Sequence, residues 1–242
     1  MLDKKILVVF GDSNVWGTEL KDAPDKQKQY KSVVYDPNKI ENWPYHIRHS
    51  FSGILAERNN MKILNLSIPG SSNDTIFKRV NNFLQGKYPV TINDCFVMIF
   101  WTATERKEFY NATGKMFLNY SPLWGDYMKI LWHKNFHKIY LENMFDHNYD
   151  LQRTFNYMQS LTGLLNYKNI EFVQGYSINT PELQELVLKS KLSNLISNRI
   201  QDSIHSIVTK SPNKYQCNRG HPNELGHITI ADRYTELIGE GN

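Results

Sequence analysis

The sequence predicts an α/β fold with a mainly parallel sheet, and two observations support this. Short apolar runs recur without two-residue alternation, which is typical of strands buried on both faces of a sheet. Segments with the three- and four-residue spacing of amphipathic helices separate these runs. The predicted strands are Ile6–Phe10, Ile63–Ile68, Cys95–Trp101, Lys138–Met144 and Ile170–Gln174. The predicted helices are Trp43–Asn59, Asp150–Leu165, Pro181–Val208 and Glu224–Ile238. Strand and helix alternate, as in α/β proteins.

The organisation of the chain indicates a single domain over residues 1–242. That length fits one large domain or two small ones, and no internal repeat, low-complexity tract or linker divides it. Two long loops are predicted, a polar one at 18–42 and an aromatic-rich one at 104–135. The aromatic side chains either line a pocket for a sugar or an aromatic group, or pack the insertion onto the sheet, and packing is the commoner role. Both loops begin at carboxyl ends of predicted strands, where open α/β sheets bind ligands.

Composition argues against several classes of function. The net charge is +4, and Lys and Arg are scattered and not clustered, so no nucleic-acid partner is expected. The N-terminal apolar stretch, Ile6–Phe10, is shorter than the roughly 7–15 apolar residues of a secretory signal or the roughly 20 of a membrane span. We therefore expect a cytoplasmic protein with no membrane partner. Cys95 and Cys217 form no metal-ligand spacing and are expected to stay reduced.

The first predicted strand runs directly into the stretch FGDSNVWG, residues 10–17. Ser13 lies at its centre. A serine hydroxyl is a poor nucleophile unless a base accepts its proton, and Asp, Ser and Asn are also common helix N-caps. Ser13 is therefore either a capping residue or a displayed nucleophile, and this stretch alone favours the cap.

A candidate base lies near the other end of the chain, in GHPNELGH, residues 220–227. Pro222 directly follows His221, and Asn223 is suited to cap the last helix, so His221 is expected in a loop just before that helix. An imidazole titrates near neutral pH and can take a proton from a hydroxyl. His227 falls inside the predicted helix and is interpreted as structural.

A third candidate element is the turn NLSIPGSSN, residues 65–73. Pro69 ends the predicted strand and Gly70 allows close approach of the backbone to a ligand. The backbone N–H groups of Gly70 and Ser13 are candidate donors to a developing oxyanion. The alternative is an ordinary turn between a strand and a helix.

Together, in this order, the three stretches resemble the SGNH (GDSL-type) hydrolase superfamily, and FGDSNVWG is most similar to its esterase branch. The resemblance spans residues 11–227. It implies a flavodoxin-like three-layer α/β/α sandwich with a five-stranded parallel sheet. It also implies ester hydrolysis in which Ser13 is the nucleophile, His221 its base, and the N–H groups of Ser13 and Gly70 oxyanion donors.

The sequence departs from the pattern of the superfamily before the histidine. The residue three positions before His221 is Asn218, where the superfamily usually has an aspartate. An amide oxygen can orient the ring but carries no charge, and in a serine protease the Asp-to-Asn change costs about 10⁴ in turnover. The alternatives are a Ser–His dyad helped by backbone carbonyls, a carboxylate from elsewhere in the chain, or a weakened enzyme.

A second departure follows the third predicted strand. The superfamily usually has Gly-x-Asn-Asp there, with the Asn as a third oxyanion donor, and this chain has the stretch WTATER, residues 101–106. Candidate substitutes are Thr102, Thr104, Arg106 and, from the neighbouring turn, Asn73. Arg106 is also a candidate for binding an acidic group of the substrate, or alternatively forms a surface ion pair with Glu105 or Glu108.

The function predicted is a serine esterase that cleaves a small carboxylic ester or an O-acylated carbohydrate and needs no cofactor and no metal. Asp12, Asn14 and Trp16, which surround the serine, are candidate substrate-binding residues together with Arg106. The alternatives are a catalytically weakened module that binds a glycan or a protein, and an acyltransferase on the same scaffold.

Overall fold

The structure is a computed structural model that describes residues 5–21, 32–111, 116–122, 134–178, 180–190, 192, 203–217 and 220–239. Its main sheet consists of the strands β1 (Ile6–Phe10), β2 (Lys62–Asn65), β3 (Cys95–Trp101) and β6 (Glu171–Tyr176). Their order in the sheet is β2-β1-β3-β6, and every neighbouring pair is parallel. The parallel α/β prediction is confirmed, with a sheet of four strands in the described part of the chain.

Helices cover both faces of this sheet, because alternate strand residues point to opposite sides. Leu7 and Val9 belong to one apolar cluster and Val8 and Phe10 to the other. The helices are α1 (Ser13–Trp16), α2 (Tyr45–His49), α3 (Phe51–Arg58), α4 (Asn73–Leu84), α5 (Lys134–Asn143), α6 (His147–Tyr167), α7 (Pro181–Lys189), α8 (Ile204–Thr209), α9 (Pro212–Tyr215) and α10 (Glu224–Gly239). Two 3₁₀ helices, Pro37–Asn42 and Ile92–Asp94, complete the elements outside the hairpin described below. Helices α3 and α10 pack on the first face and α4 and α6 on the second, which gives the three-layer α/β/α sandwich. No helix within the described residues is long and apolar enough to span a membrane.

The prediction of a strand at Lys138–Met144 is wrong, since these residues lie in and just after α5. A parallel strand would bury both faces, but Ile139 and Met144 are exposed while Tyr140 is buried. The apolar residues that pack are Phe136 and Tyr140, four positions apart, which is the spacing of one helical face.

The predicted loop at 104–135 contains an antiparallel hairpin of β4 (Lys107–Asn111) and β5 (Met116–Tyr120). Phe109 and Tyr120 of this hairpin pack edge-to-face against Phe136 and Tyr140 of α5. These two aromatic residues therefore pack, but against α5, and they belong to neither apolar cluster of the main sheet, onto which packing was expected. Trp124, Tyr127 and Trp132 lie outside the described part of the chain.

The single helix predicted over Trp43–Asn59 is divided into α2 and α3 at Ser50. Ser50 has extended backbone, and its hydroxyl accepts a hydrogen bond from the N–H of Gly53 at 3.2 Å. A serine cap in the middle of a continuous amphipathic pattern thus starts a second helix. Helix α4 was not predicted, and the long helix predicted over Pro181–Val208 is represented in the described residues by α7 and α8.

Candidate active site

The candidate site lies at the carboxyl ends of β1 and β3. The chain leaves β1 towards β2 on one side, and β3 lies on the other, so the order of connections reverses at this point of the sheet. In open parallel sheets such a switch point is where ligands bind. The stretches after β1, β2 and β3 that the sequence singled out therefore come together at this edge.

Asp12 joins the ends of three strands. Its carboxylate is 0% exposed. One oxygen accepts hydrogen bonds from the N–H of Asn14 at 3.0 Å and from Ser177 Oγ at 2.5 Å. The other accepts from Thr102 Oγ1 at 2.8 Å and from the Arg106 guanidinium at 3.2 Å. Because every acceptor site is used by the protein, Asp12 holds the site together and is not a substrate-binding residue.

Ser13 is the first residue of α1 and is half-buried. The cap of this short helix is Asp12, so the hydroxyl of Ser13 does not serve as the cap that was the alternative to a catalytic role. Among the described residues, Ser13 Oγ makes no hydrogen bond, and this includes the ring of His221. Its backbone N–H lies in the first turn and has no acceptor within the helix.

Gly70 is brought beside this helix start by backbone pairing, because the N–H of Ile68 donates to the carbonyl of Gly11 at 3.1 Å. Gly70 has φ +76°, the left-handed region that glycine adopts without strain. Within the described part of the chain its N–H donates to no protein acceptor, so it is available to a ligand. Two buried hydroxyls of the same turn, those of Ser67 and Ser71, have no hydrogen-bond partner among the described residues.

Asn73 does not face the site as an oxyanion donor. Its side-chain amide donates to the carbonyl of Thr102 at 3.0 Å and to Thr154 Oγ1 at 3.2 Å, and its oxygen accepts from the N–H of Thr102 at 2.9 Å. Both amide hydrogens are thus occupied in tying the start of α4 to the end of β3. The hydroxyl of Thr102 is occupied too, by Asp12.

Thr104 is the predicted donor in this region whose side chain is still unengaged. Its hydroxyl is buried and has no hydrogen-bond partner in the described part of the chain. Thr104 therefore stays a candidate oxyanion donor, whereas Asn73 and Thr102 are withdrawn.

Arg106 is 8% exposed and forms a buried ion pair with Asp12. This buried position differs from the surface pair with Glu105 or Glu108 that was one of its two predicted roles, and its role as a substrate contact stays a prediction. The substrate contacts of Asn14 and Trp16 also stay predictions, and both residues are buried in this structure. Asn14 donates to Ser177 Oγ at 3.1 Å, and Trp16 packs within the apolar core.

His221 lies in the loop before α10, as the sequence predicted. An isolated bridge between Gln216 and Pro222 and a hydrogen bond from the N–H of Cys217 to the His221 carbonyl, at 2.8 Å, fix this loop. Asn223 caps α10, since its side-chain oxygen accepts from the N–H of Gly226 at 2.9 Å. The imidazole is 22% exposed at the side chain.

Glu19 contacts the ring of His221. The distance between Glu19 Oε2 and His221 Nδ1 is 2.8 Å, and the Glu19 side chain is 15% exposed. Glu19 follows α1, so this contact brings the loop of the candidate base to the segment that begins with Ser13. Sequence reasoning did not find Glu19, because it lies in a polar loop 202 positions from its partner. The sequence did offer one indication, since the asparagine at position 218 left open that a carboxylate from elsewhere in the chain supports His221. Asn218 lies outside the described residues.

His227 is fully buried, as expected of a structural residue. Its Nδ1 accepts a hydrogen bond from the N–H of Phe51 at 3.2 Å, and burial together with the nearby His221 lowers its pKa to about 3. His227 is therefore neutral at physiological pH. Because its Nδ1 accepts a hydrogen bond, the ring hydrogen is on Nε2.

The fold is that of GDSL-type lipolytic proteins. The structure is similar to a member of the lipolytic protein G-D-S-L family from Veillonella parvula DSM 2008, with a TM-score of 0.55, 12% identity, and coverage of 98% of this chain and 99% of that one. It is similar to TesA with a TM-score of 0.52, 11% identity, and coverage of 97% and 98%. It is also similar to the psychrotrophic esterase EstA from Pseudoalteromonas sp., with a TM-score of 0.50, 14% identity, and coverage of 97% of each chain.

No protein-family model and no curated protein matches the sequence. At the identities of the structural matches the similarity concerns the fold. The α/β/α fold with a parallel sheet that the SGNH resemblance implied is thereby confirmed, with four strands in the described residues where five were expected.

Proposed function

We propose that the protein is a serine ester hydrolase in which Ser13 is the nucleophile and His221 the general base. The observation that carries this proposal is the contact between Glu19 and His221. In this contact the imidazole of His221 lies beside the segment that begins with Ser13, at the switch point of the sheet. The hydroxyl of Ser13 makes no hydrogen bond among the described residues. A nucleophile, a base and free backbone donors at one ligand-binding edge are the elements that acyl transfer requires.

In the proposed reaction, His221 Nε2 takes the proton of Ser13 Oγ as the hydroxyl oxygen attacks the carbonyl carbon of the ester. The N–H groups of Ser13 and Gly70 stabilise the oxyanion that develops, and Thr104 is a candidate third donor. The protonated imidazole then gives its proton to the leaving alcohol, which leaves an acyl-enzyme. Water, activated by the same imidazole, hydrolyses this ester and regenerates the serine.

The free structure shows no hydrogen bond between Ser13 and His221. Catalytic hydrogen bonds are often long before substrate binds and tighten in the complex, so this separation is compatible with the proposed roles. The substrate class we propose is a small carboxylic ester or an O-acylated carbohydrate. The similarity to a lipolytic protein and to an esterase supports ester chemistry on this fold.

The test combines hydrolysis of p-nitrophenyl acetate with covalent labelling by a fluorophosphonate, which reacts with activated serines. Wild-type protein should hydrolyse the ester and become labelled, and Ser13→Ala should lose both. Ser211→Ala, which removes an exposed hydroxyl, is the matched control and should change neither. Equal hydrolysis and labelling in wild type and Ser13→Ala would rule out Ser13 as the nucleophile.

The same experiment separates the two alternatives. A module that only binds ligands would show no labelling at all. An acyltransferase would be labelled, and in the presence of an alcohol acceptor such as glycerol or a simple sugar it would release an acylated acceptor in preference to free acid.

A further inference from the structure

We propose that Glu19 is the acidic residue that positions His221 and stabilises its protonated form, in place of the aspartate that the chain lacks at position 218. The inference rests on the proposed function of Ser13 and His221. Glu19 acts through His221, so it is a positioning residue and makes no contact with the reacting atoms.

The geometry fits this role. A carboxylate oxygen 2.8 Å from Nδ1 accepts the hydrogen of that nitrogen, which places the lone pair of the imidazole on Nε2, the atom that must take the serine proton. When the ring becomes protonated, the negative charge of Glu19 lies directly beside it. The two side chains are 15% and 22% exposed, so water screens this attraction less than it would at an open surface.

Backbone hydrogen bonds and a buried leucine anchor the loop that carries Glu19. Gly17 closes α1 with φ +88°, and its N–H donates to the carbonyl of Ser13. Leu20 is buried, and its N–H donates to the carbonyl of Gly17 at 3.2 Å. Between these anchors Glu19 has φ +69°, a left-handed conformation that is uncommon outside glycine. Such conformations persist where surrounding contacts impose them, and they concentrate at functional sites.

Nucleophile and acid are therefore carried by one short segment, with Glu19 six positions after Ser13. In the usual pattern of the superfamily the acid precedes the histidine and belongs to the same loop. Here both proposed partners of His221 belong to the opposite segment, in the chain order serine, glutamate, histidine, and Glu19 is the one that contacts the ring.

Other ionisable groups surround the pair. Glu19, Lys21, Cys217 and Glu224 line one cleft of about 340 Å³ beside the His221 loop. Burial raises the pKa of Cys217, with Glu19 and Glu224 adding to the effect, so its thiol is uncharged near neutral pH. Glu224 accepts a hydrogen bond from the hydroxyl of Tyr45. Glu224 is a carboxylate of the same cleft and forms no hydrogen bond or ion pair with the imidazole, which makes it the matched control.

The test measures kcat and KM for p-nitrophenyl acetate in Glu19→Gln, Glu19→Asp and Glu224→Gln. Glu19→Gln keeps the shape and removes the charge, so we expect kcat to fall by roughly 10²–10⁴-fold with KM changed less than about threefold. Glu224→Gln should change kcat less than about threefold. Glu19→Asp restores the charge on a shorter side chain and should recover at least about tenfold over Glu19→Gln.

A second readout depends on the proton itself. In ¹H NMR the Nδ1 hydrogen of His221 should give a low-field signal in wild type and in Ser13→Ala, and Glu19→Gln should abolish it. In the activity assay the acidic limb of the pH–rate profile, which reports protonation of the base, should move to lower pH in Glu19→Gln.

The outcomes separate the two proposals. If Ser13→Ala is as active as wild type, the proposed function fails. If Ser13→Ala is inactive but Glu19→Gln behaves like Glu224→Gln, or Glu19→Asp is no better than Glu19→Gln, the assignment of Glu19 is overturned while the serine mechanism stands.

Discussion

Replacing Asp12 by alanine should destabilise the fold more than the loss of any exposed carboxylate. The substitution removes the acceptor of four hydrogen bonds, from Asn14, Ser177, Thr102 and Arg106. It also removes the carboxylate that pairs with the guanidinium of Arg106, a residue that is 8% exposed. The ends of β1, β3 and β6 would then no longer be joined by hydrogen bonds to one carboxylate.

The magnitude follows from the buried charge. Removing one partner of a buried ion pair costs about 3–5 kcal/mol, because the remaining charge stays desolvated. The loss of the cap of α1 adds about 1 kcal/mol. These terms share atoms and are not additive, so we expect the unfolding free energy to fall by at least about 3 kcal/mol.

The assay is urea denaturation followed by circular dichroism, with Asp36→Ala as the control. Asp36 also accepts a hydrogen bond from an N–H two residues further on, at 2.9 Å, but it is partly exposed and pairs with Lys62 only at 3.7 Å. Its loss should be no more than roughly a third of that at Asp12. If the unfolding free energies of the two variants fall by the same amount within about 1 kcal/mol, the stabilisation assigned to the buried contacts of Asp12 is wrong.

Three further changes test other parts of the structure. Since burial lowers the pKa of His227 to about 3, only the unfolded chain binds its proton as pH falls from about 6.5, and stability should drop by up to about 1.4 kcal/mol per pH unit. His227→Asn keeps an acceptor and should flatten that slope in urea titrations, and an unchanged slope would contradict the assignment. Burial raises the pKa of Glu105, so the stability it contributes is present at low pH and is lost as pH rises through its folded-state pKa. Glu105→Gln should therefore raise Tm by about 2–4 °C near pH 8 and leave it unchanged near pH 4, with the opposite pattern as the refutation. Gly17→Ala should lower both Tm and ester turnover, because φ is +88° and the new Cβ would lie 2.9 Å from a carbonyl oxygen of α2. Gly86→Ala, with φ +73° and open space around its Cβ, is its control and should leave turnover unchanged.

Much of the fold was predictable because strands buried on both faces leave a strong local signal. Ile6–Phe10 and Cys95–Trp101 were predicted with the bounds that the structure gives them. The same signal failed at Lys138–Met144, where a helix that buries one face and exposes apolar residues on the other gives a similar run of letters. Local composition does not show which face of a helix or strand is buried.

The candidate site was predictable where its chemistry is local. Ser13 and His221 each lie in a short stretch with turn and capping residues that indicate their position. Whether a polar side chain faces a ligand or a neighbouring strand depends on partners far along the chain, as Asn73 and Arg106 show. Glu19 was missed for a related reason. Its partner, His221, is distant in sequence, and nothing in the charged loop around Glu19 indicates that contact.

The pairing of Glu19 with His221 also has a kinetic consequence. It joins residues 202 positions apart, and the Asp12–Ser177 contact joins residues 165 positions apart. Contacts between such distant segments form late, because loop closure has to precede them. During refolding, the proposed ester turnover should therefore return after the circular dichroism of the sheet, and during synthesis it should require that residue 221 has emerged. Measured during refolding, that turnover would report when the Glu19–His221 contact forms.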